Sequence, residues 1–88
     1  SHICYNFAIF LKRRLHMSFS KDIKEVRKQS LMSQTEFAKA LGVSYSTVNR
    51  WETGKTLPAY KAMKNIEFFC LEHGVDFSNS KNAWKEYK

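Results

Sequence analysis

The sequence predicts an all-α fold built from five short helices. Two serines, Ser33 and Ser44, stand where helix N-caps are expected, and Gly42 and Gly74 stand where two of the helices should end. Between these signals, apolar residues recur at the three- and four-residue spacing of an amphipathic helix. The 88 residues, of which 43% are hydrophobic, allow one compact domain with a packed core.

The first helix of the domain is predicted to begin at Ser20. The Ser20 hydroxyl is placed to cap the helix, and Asp22 and Glu25 follow near its start, where the helix dipole favours acidic side chains. Ile23 and Val26 are then expected on the buried side of this helix.

Residues 1–17 are predicted to form an N-terminal extension of the domain. Apolar residues run from Ile3 to Leu11, and the basic run at residues 12–14 follows them. About 20 apolar residues are needed to cross a bilayer, so this stretch is too short to span a membrane. A secretory signal would place the basic residues before the apolar run. The extension is either an additional helix or sequence upstream of a translation start at Met17.

The second and third helices are predicted to be joined by a very short turn. Ser33 and Glu36 are spaced as a capping box, in which each side chain accepts a hydrogen bond from the backbone amide of the other residue. Gly42 is expected to end the second helix, because glycine adopts the left-handed backbone easily, and Ser44 is expected to cap a third helix over 45–52. Two helices joined in this way make a helix-turn-helix. The side chains expected to point inward are Phe37, Ala38, Leu41, Val48 and Trp51.

The fourth and fifth helices complete the predicted fold. Pro58 is expected in the first turn of the fourth helix, and Gly74 is expected just beyond its end. The buried stripe of the fourth helix is predicted to comprise Ala59, Ala62, Met63, Ile66, Phe69 and Cys70. A short fifth helix is expected to contain Ala83, Trp84 and Tyr87. These boundaries predict a helix-turn-helix domain over residues 18–77 and a short C-terminal helix or tail over residues 78–88.

Charge and composition restrict the possible functions. Fifteen Lys and Arg against eight Asp and Glu give a net charge of +7, which favours an anionic partner such as nucleic acid or a membrane surface. Cys4 and Cys70 have no neighbouring Cys or His at a metal-ligand spacing, so neither a metal site nor a disulfide framework is indicated. The three histidines accompany no carboxylate pair and no glycine-rich phosphate loop. The sequence therefore predicts neither an enzyme nor a cofactor-binding protein.

The segment from Ser33 to Pro58 reads SQTEFAKALGVSYSTVNRWETGKTLP, and it resembles the helix-turn-helix domains of the phage-repressor and Cro (XRE-type) family. The positions that carry the resemblance are Gln34, Ala38, Gly42, Val48, Trp51, Glu52, Gly54 and Lys55. The resemblance extends over residues 20–77. It implies a cytoplasmic, nucleoid-associated protein that binds double-stranded DNA sequence-specifically as a repressor-like transcriptional regulator.

The outer face of the third helix is the candidate site for reading bases. Tyr45, Ser46, Asn49 and Arg50 lie on one side of this helix at spacings of one and four, opposite the predicted buried side. An α-helix fits the major groove of B-DNA, where Asn pairs with adenine and Arg pairs with guanine. The family resemblance implies that these four residues read the bases.

Residues at the edges of this helix pair are predicted to hold phosphates. Gln34 and Thr35 stand at the N-terminus of the second helix, where free backbone amides and the helix dipole favour an anion. Lys55 and Thr56 follow the third helix, in the position of the family's loop that contacts the second strand. Thr47 is a further candidate for a phosphate contact.

Arg27 and Glu52 match positions that in many family members form an ion pair between the first helix and the end of the third. Such a pair orients the two helices more than it stabilises them. The candidate base-reading and phosphate-binding residues have a plainer interpretation, as a solvated helix face followed by an ordinary polar loop. The family resemblance makes this interpretation weaker than DNA binding.

A homodimer on a roughly palindromic site is expected, because one recognition helix reads only a few base pairs. The dimer surface is predicted around the exposed side of Phe68, Trp84 and Tyr87, with the segment from Ile3 to Leu11 as the rival. An alternative function is a DNA-targeting or antitoxin-like protein-interaction module of a mobile-element or modification system. A stable partner of a different kind would distinguish that alternative from a homodimeric regulator.

Overall fold

The computed structural model describes residues 18–87, apart from the side chain of Tyr87, and over this range the protein consists of five α-helices without a strand. Helix α1 covers residues 18–29 of the described part, and α2 is Gln34–Leu41. They are followed by α3 (Tyr45–Glu52), α4 (Tyr60–His73) and α5 (Ser78–Tyr87). The predicted all-α class is therefore confirmed. The predictions for residues 1–17 lie outside the described residues.

Helix α1 differs from the prediction at its N-terminal side. The chain is already helical at Ser18, so the predicted N-cap at Ser20 is wrong, and Ser20 is instead largely buried within the helix. Phe19, which the sequence analysis did not include in the core, is completely buried together with Ile23. Because Phe19 stands four residues before Ile23, it continues the same apolar stripe, and burial of this stripe outweighs the capping preference of a serine.

The ends of α2 and the start of α3 are built as predicted. The backbone amide of Glu36 donates to the Ser33 hydroxyl at 3.1 Å, and the Ser33 amide donates to the Glu36 carboxylate at 2.9 Å. The bond from the Ser33 amide, with a smaller contribution from the Ser33 side chain, lowers the pKa of the Glu36 carboxyl below its ordinary value. Gly42 ends α2 in the left-handed region at a φ of 72°, and the Ser44 hydroxyl accepts from the Thr47 amide at 3.2 Å.

The start of α4 differs from the prediction. Helix α4 begins at Tyr60, and its N-cap residue, Ala59, is exposed, so Pro58 is not in the first turn and Ala59 is not part of the buried stripe. Pro58 is fully buried, and its carbonyl accepts a hydrogen bond from the Trp84 indole N–H at 2.8 Å. A contact with α5 therefore determines the position of Pro58.

All five helices contribute to one core. Its buried apolar residues are Phe19, Ile23, Val26, Phe37, Ala38, Leu41, Val48, Trp51, Met63, Ile66, Phe69, Cys70, Ala83 and Trp84. The rings of Phe37 and Phe69 meet edge to face at 5.2 Å and join α2 to α4. Trp84 is only 7% exposed, so the prediction that it supplies exposed dimer surface is wrong, because α5 turns this side chain into the core. Tyr87 was predicted to lie on the same surface, but its side chain is outside the part of the chain that the structure describes.

Candidate nucleic-acid interface

Helix α3 has one buried face and one polar face. Val48 is completely buried and Trp51 nearly so, and both pack in the core. Tyr45, Ser46 and Arg50 are exposed, and Asn49 is half-buried. The four predicted base-reading residues therefore lie together on the side of α3 that the core does not use.

The side chains on this polar face have no partners within the part of the chain that the structure describes. Tyr45, Ser46, Asn49 and Arg50 form no side-chain hydrogen bond or ion pair there. Asn49 and Arg50 are engaged through their backbone carbonyls, which accept from the Thr53 hydroxyl at 2.9 and 3.3 Å. The amide, guanidinium and hydroxyl groups of this face are therefore available to a ligand.

A buried ion pair fixes the C-terminal end of α3. The Arg27 guanidinium donates twice to the Glu52 carboxylate, from Nε to Oε2 at 2.7 Å and from Nη2 to Oε1 at 3.0 Å. The Glu52 side chain is 1% exposed and the Arg27 side chain 14% exposed. The hydrogen bond to Glu52 raises the pKa of the Arg27 guanidinium above its ordinary value. The ion pair predicted from the family resemblance is thus present, and it joins α1 to α3.

Gln34 is a third member of this group of side chains. Its Nε2 atom donates to Glu52 Oε1 at 3.0 Å, so the first residue of α2 contacts the last residue of α3. This contact was not predicted from the sequence, where Gln34 was expected to contact phosphate only. Spacing along the chain gives no signal for a bond between residues 18 positions apart. Thr35 is exposed beside Gln34 at the start of α2.

The loop after α3 turns back onto the end of the helix. Gly54 has a φ of 76°, and beyond it the amides of Lys55 and Thr56 donate to the Arg50 carbonyl at 3.0 and 3.4 Å. These bonds satisfy a carbonyl at the helix end that has no partner within the helix. The exposed side chains of Lys55 and Thr56 are therefore held close to the C-terminal end of α3.

Thr47 takes part in the N-terminal cap of α3. Its hydroxyl lies 2.9 Å from the Ser44 hydroxyl, which also accepts from the Thr47 amide. Thr47 is half-buried as a result of its position in the first turn. Its predicted phosphate contact stays a prediction.

A family model described as helix-turn-helix matches residues 23–67, just over half of the chain. The chain belongs to the helix-turn-helix family. The matched range includes every residue proposed above for the interface, from Arg27 in α1 to Thr56 after α3. The resemblance drawn from Ser33 to Pro58 is thereby confirmed. Because the helix-turn-helix is a DNA-binding motif, the family identifies this chain as a DNA-binding domain of regulatory type.

A phage protein is similar to this helix-turn-helix chain. The ImmF control region 10 kDa protein of Bacillus phage phi105 is 43% identical over 44 residues, which cover 50% of this chain and 49% of the phage protein. The chain thus spans about half the length of that relative. No solved structure matches the chain.

Other kinds of site are not evident within residues 18–87. No group of three His, Cys, Asp or Glu side chains in this range is arranged to hold a metal ion. Burial raises the pKa of the Cys70 thiol to about 11, which keeps the thiol protonated at neutral pH. No helix in the same range is long and apolar enough to span a membrane.

Proposed function

We propose that the protein is a sequence-specific regulator of transcription that reads the major groove of double-stranded DNA with the outer face of α3. The observation that carries this proposal is the polar face of α3, formed by the exposed Tyr45, Ser46 and Arg50 and the half-buried Asn49, whose side chains have no partner in the described chain. Asn pairs in bidentate fashion with adenine and Arg with guanine, whereas Ser and Tyr contact several base edges. Asn49 and Arg50 are therefore the residues from which we expect the strongest base preference.

The opposite side of α3 supports this role because it is held rigidly. Trp51 and Val48 anchor α3 in the core, and the buried carboxylate of Glu52 is bound by Arg27 and Gln34. A reading helix whose orientation is fixed before binding loses less conformational entropy when it enters the groove. The ion pair thus acts as a positioning contact.

The residues at the two edges of the helix pair are proposed to contact phosphates. Thr35 and the backbone amides at the start of α2 form one edge, and the exposed Lys55 and Thr56 form the other. Such contacts add affinity and fix the register on the duplex, but they carry no sequence information. Gln34 contributes its backbone amide, and the second N–H of its side-chain amide is also available, since Glu52 takes only one of the two.

The similarity to a phage control region protein supports a regulatory role. A regulator of this kind would act on the nucleoid as a homodimer, with two α3 helices in successive major grooves about 34 Å apart. A single half-site rarely supplies enough affinity and discrimination at physiological salt.

The proposal is tested by selecting bound duplexes from random DNA and then comparing variants on a selected and a scrambled duplex. Asn49→Ala and Arg50→Ala are expected to cost about 1–3 kcal/mol each on the selected site and to relax its base preference. Lys55→Ala is expected to weaken both duplexes alike and to lower the salt slope by about one. Lys24→Ala is the matched control for Lys55→Ala, because it also removes an exposed lysine but at a position of α1 that is not part of the proposed interface.

Two outcomes would contradict this division of roles. If no sequence is enriched in the selection, the protein is not a sequence-specific reader. If Asn49→Ala and Arg50→Ala weaken the selected and scrambled duplexes equally, α3 does not read bases.

A further inference from the structure

The outer face of α4 carries two large apolar side chains that the core does not use. Phe68 is 63% exposed and Leu71 is 77% exposed. They stand three residues apart and are therefore neighbours on the helix surface. Neighbouring exposed apolar groups of this size indicate an interaction surface when they lie outside the core. Neither residue belongs to the proposed DNA-binding face.

Opposite charges flank Phe68 at equal distances along the same row of α4. Lys64 stands four residues before Phe68 and Glu72 four residues after it, and both side chains are exposed. Neither forms an ion pair within the described part of the chain. They cannot pair with each other, because eight residues of α-helix separate them by about 12 Å along the axis.

We propose that this face of α4 binds the same face of a second copy of the chain, with the two α4 helices antiparallel and a two-fold axis at Phe68. A two-fold interface uses the same patch on both subunits, so the patch must complement itself. The row formed by Lys64, Phe68 and Glu72 meets this requirement. The axis brings the two phenylalanine rings together and places each Lys64 opposite Glu72 of the second copy.

A groove lined by both polar and apolar side chains lies beside Phe68 and next to this contact. It has a volume of about 450 Å³ and lies between the C-terminal end of α2 and the second half of α4. Leu41, Phe69 and His73 contribute to its walls, and the ring of His73 stacks on that of Phe69 at 4.0 Å. The wall is therefore preformed, and it lies next to the proposed axis.

The inference rests on the proposed function in one respect, since a dimer is the form that occupies two DNA half-sites. Helix α4 has 14 residues and is about 21 Å long, so this face is smaller than a standard interface of about 800 Å² per partner. We therefore expect weak, reversible association of the free protein. A duplex with two half-sites strengthens the association, because it raises the effective concentration of the second copy.

Charge exchange tests the proposal directly. Sedimentation velocity is measured over a concentration series for the wild type, Lys64→Glu, Glu72→Lys and an equimolar mixture of the two variants. Each variant alone is expected to dimerise about tenfold more weakly, because exposed ion pairs are modest but two-fold symmetry changes two of them at once. The mixture is expected to recover the wild-type affinity, because positions 64 and 72 then carry opposite charges across both contacts.

Lys24→Glu on α1 is the control, since it changes the net charge as Lys64→Glu does on another helix. A wild type that stays monomeric over the whole series, single variants that associate like the wild type, or a mixture that fails to recover overturns the proposal. Thermal melts of all variants check that the fold is retained.

Binding to a duplex with one selected half-site separates the two proposals. If the wild type binds that duplex no more tightly than a scrambled duplex, the proposed function is refuted. The self-association result is unaffected by that outcome. A wild type that reads the half-site but gives any of the three overturning results in sedimentation refutes the α4 interface alone.

Discussion

The turns on the two sides of α2 both contain a left-handed residue, but they are stabilised in different ways. Gly42, between α2 and α3, has a φ of 72°, whereas Leu31, between α1 and α2, has a φ of 58°. Glycine adopts this region freely, but a side chain with a Cβ costs about 1–2 kcal/mol there. Leu31 is 92% exposed, so little burial offsets this strain.

Both turns are closed by the same pattern of two backbone bonds, but the first turn is held in addition by a side chain that also reaches α3. Arg27 Nη1 donates to the Met32 carbonyl at 3.0 Å, and the same guanidinium binds Glu52. The second turn needs only its own residues, Gly42 and Ser44. A turn that is specified by its own residues can be predicted from the sequence. A turn that is also supported by a tertiary contact can contain a residue, such as Leu31, that disfavours the left-handed backbone the turn requires.

The largest effect is expected from Glu52→Ala, which should destabilise the protein by about 3 kcal/mol because it leaves the Arg27 guanidinium without its buried partner. Hydrogen exchange should accelerate at the amides of Leu31 and Met32 more than at Val43. Glu67→Ala is the control, since Glu67 pairs with Lys81 at 3.1 Å in an exposed position. Equal losses in chemical denaturation for the two variants would show that the pair does not hold the first turn.

Gly42→Ala is expected to destabilise the protein by about 1–2 kcal/mol. A Cβ atom at Gly42 meets nothing within 4 Å, so the loss arises from the backbone alone. Gly74→Ala is a matched comparison, because Gly74 also has a positive φ, of 65°, and open space around its Cβ position. Thermal melts in which Gly42→Ala equals the wild type would contradict the role assigned to this glycine.

Leu31→Gly is expected to stabilise the protein by about 0.5 kcal/mol, because relief of left-handed strain exceeds the added entropy of the unfolded chain. The same measurement on Leu31→Ala, which keeps a Cβ, should show no such gain. A loss of stability in Leu31→Gly would show that the left-handed strain at this position is smaller than the added entropy of the unfolded chain.

The smallest effect concerns pH. Because hydrogen bonds to Ser33 lower the pKa of Glu36 from its ordinary value of 4.5, the ionised Glu36 stabilises the fold above that pH. This stabilisation is lost as the pH falls through the lowered pKa. The difference in melting temperature between the wild type and Glu36→Gln should therefore shrink on acidification. In the Ser33→Ala background the backbone amide of residue 33, the larger of the two causes, is still present, so the difference should still shrink on acidification but by a smaller amount. A difference that does not vary with pH in the wild-type background would exclude the capping box as its source.

The boundaries of α2 and α3 could be predicted from the sequence because the signals that determine them are local. Ser33, Gly42 and Ser44 each act on backbone groups within a few residues, so α2 and α3 begin and end where predicted. The predictions for Ser20 and Pro58 were wrong because distant packing decided both positions: the burial of α1 and the bond from Trp84. The base-reading and phosphate roles stay predictions.

The bond between Trp84 and the Pro58 carbonyl also determines how far the protein can be shortened. A fragment trimmed to the matched range, residues 23–67, would lack the indole that binds Pro58 and the Phe69 ring against which Phe37 packs. It would also lack the buried Phe19. A fragment intended for fusion or crystallisation should therefore start no later than residue 18 and extend at least through Trp84.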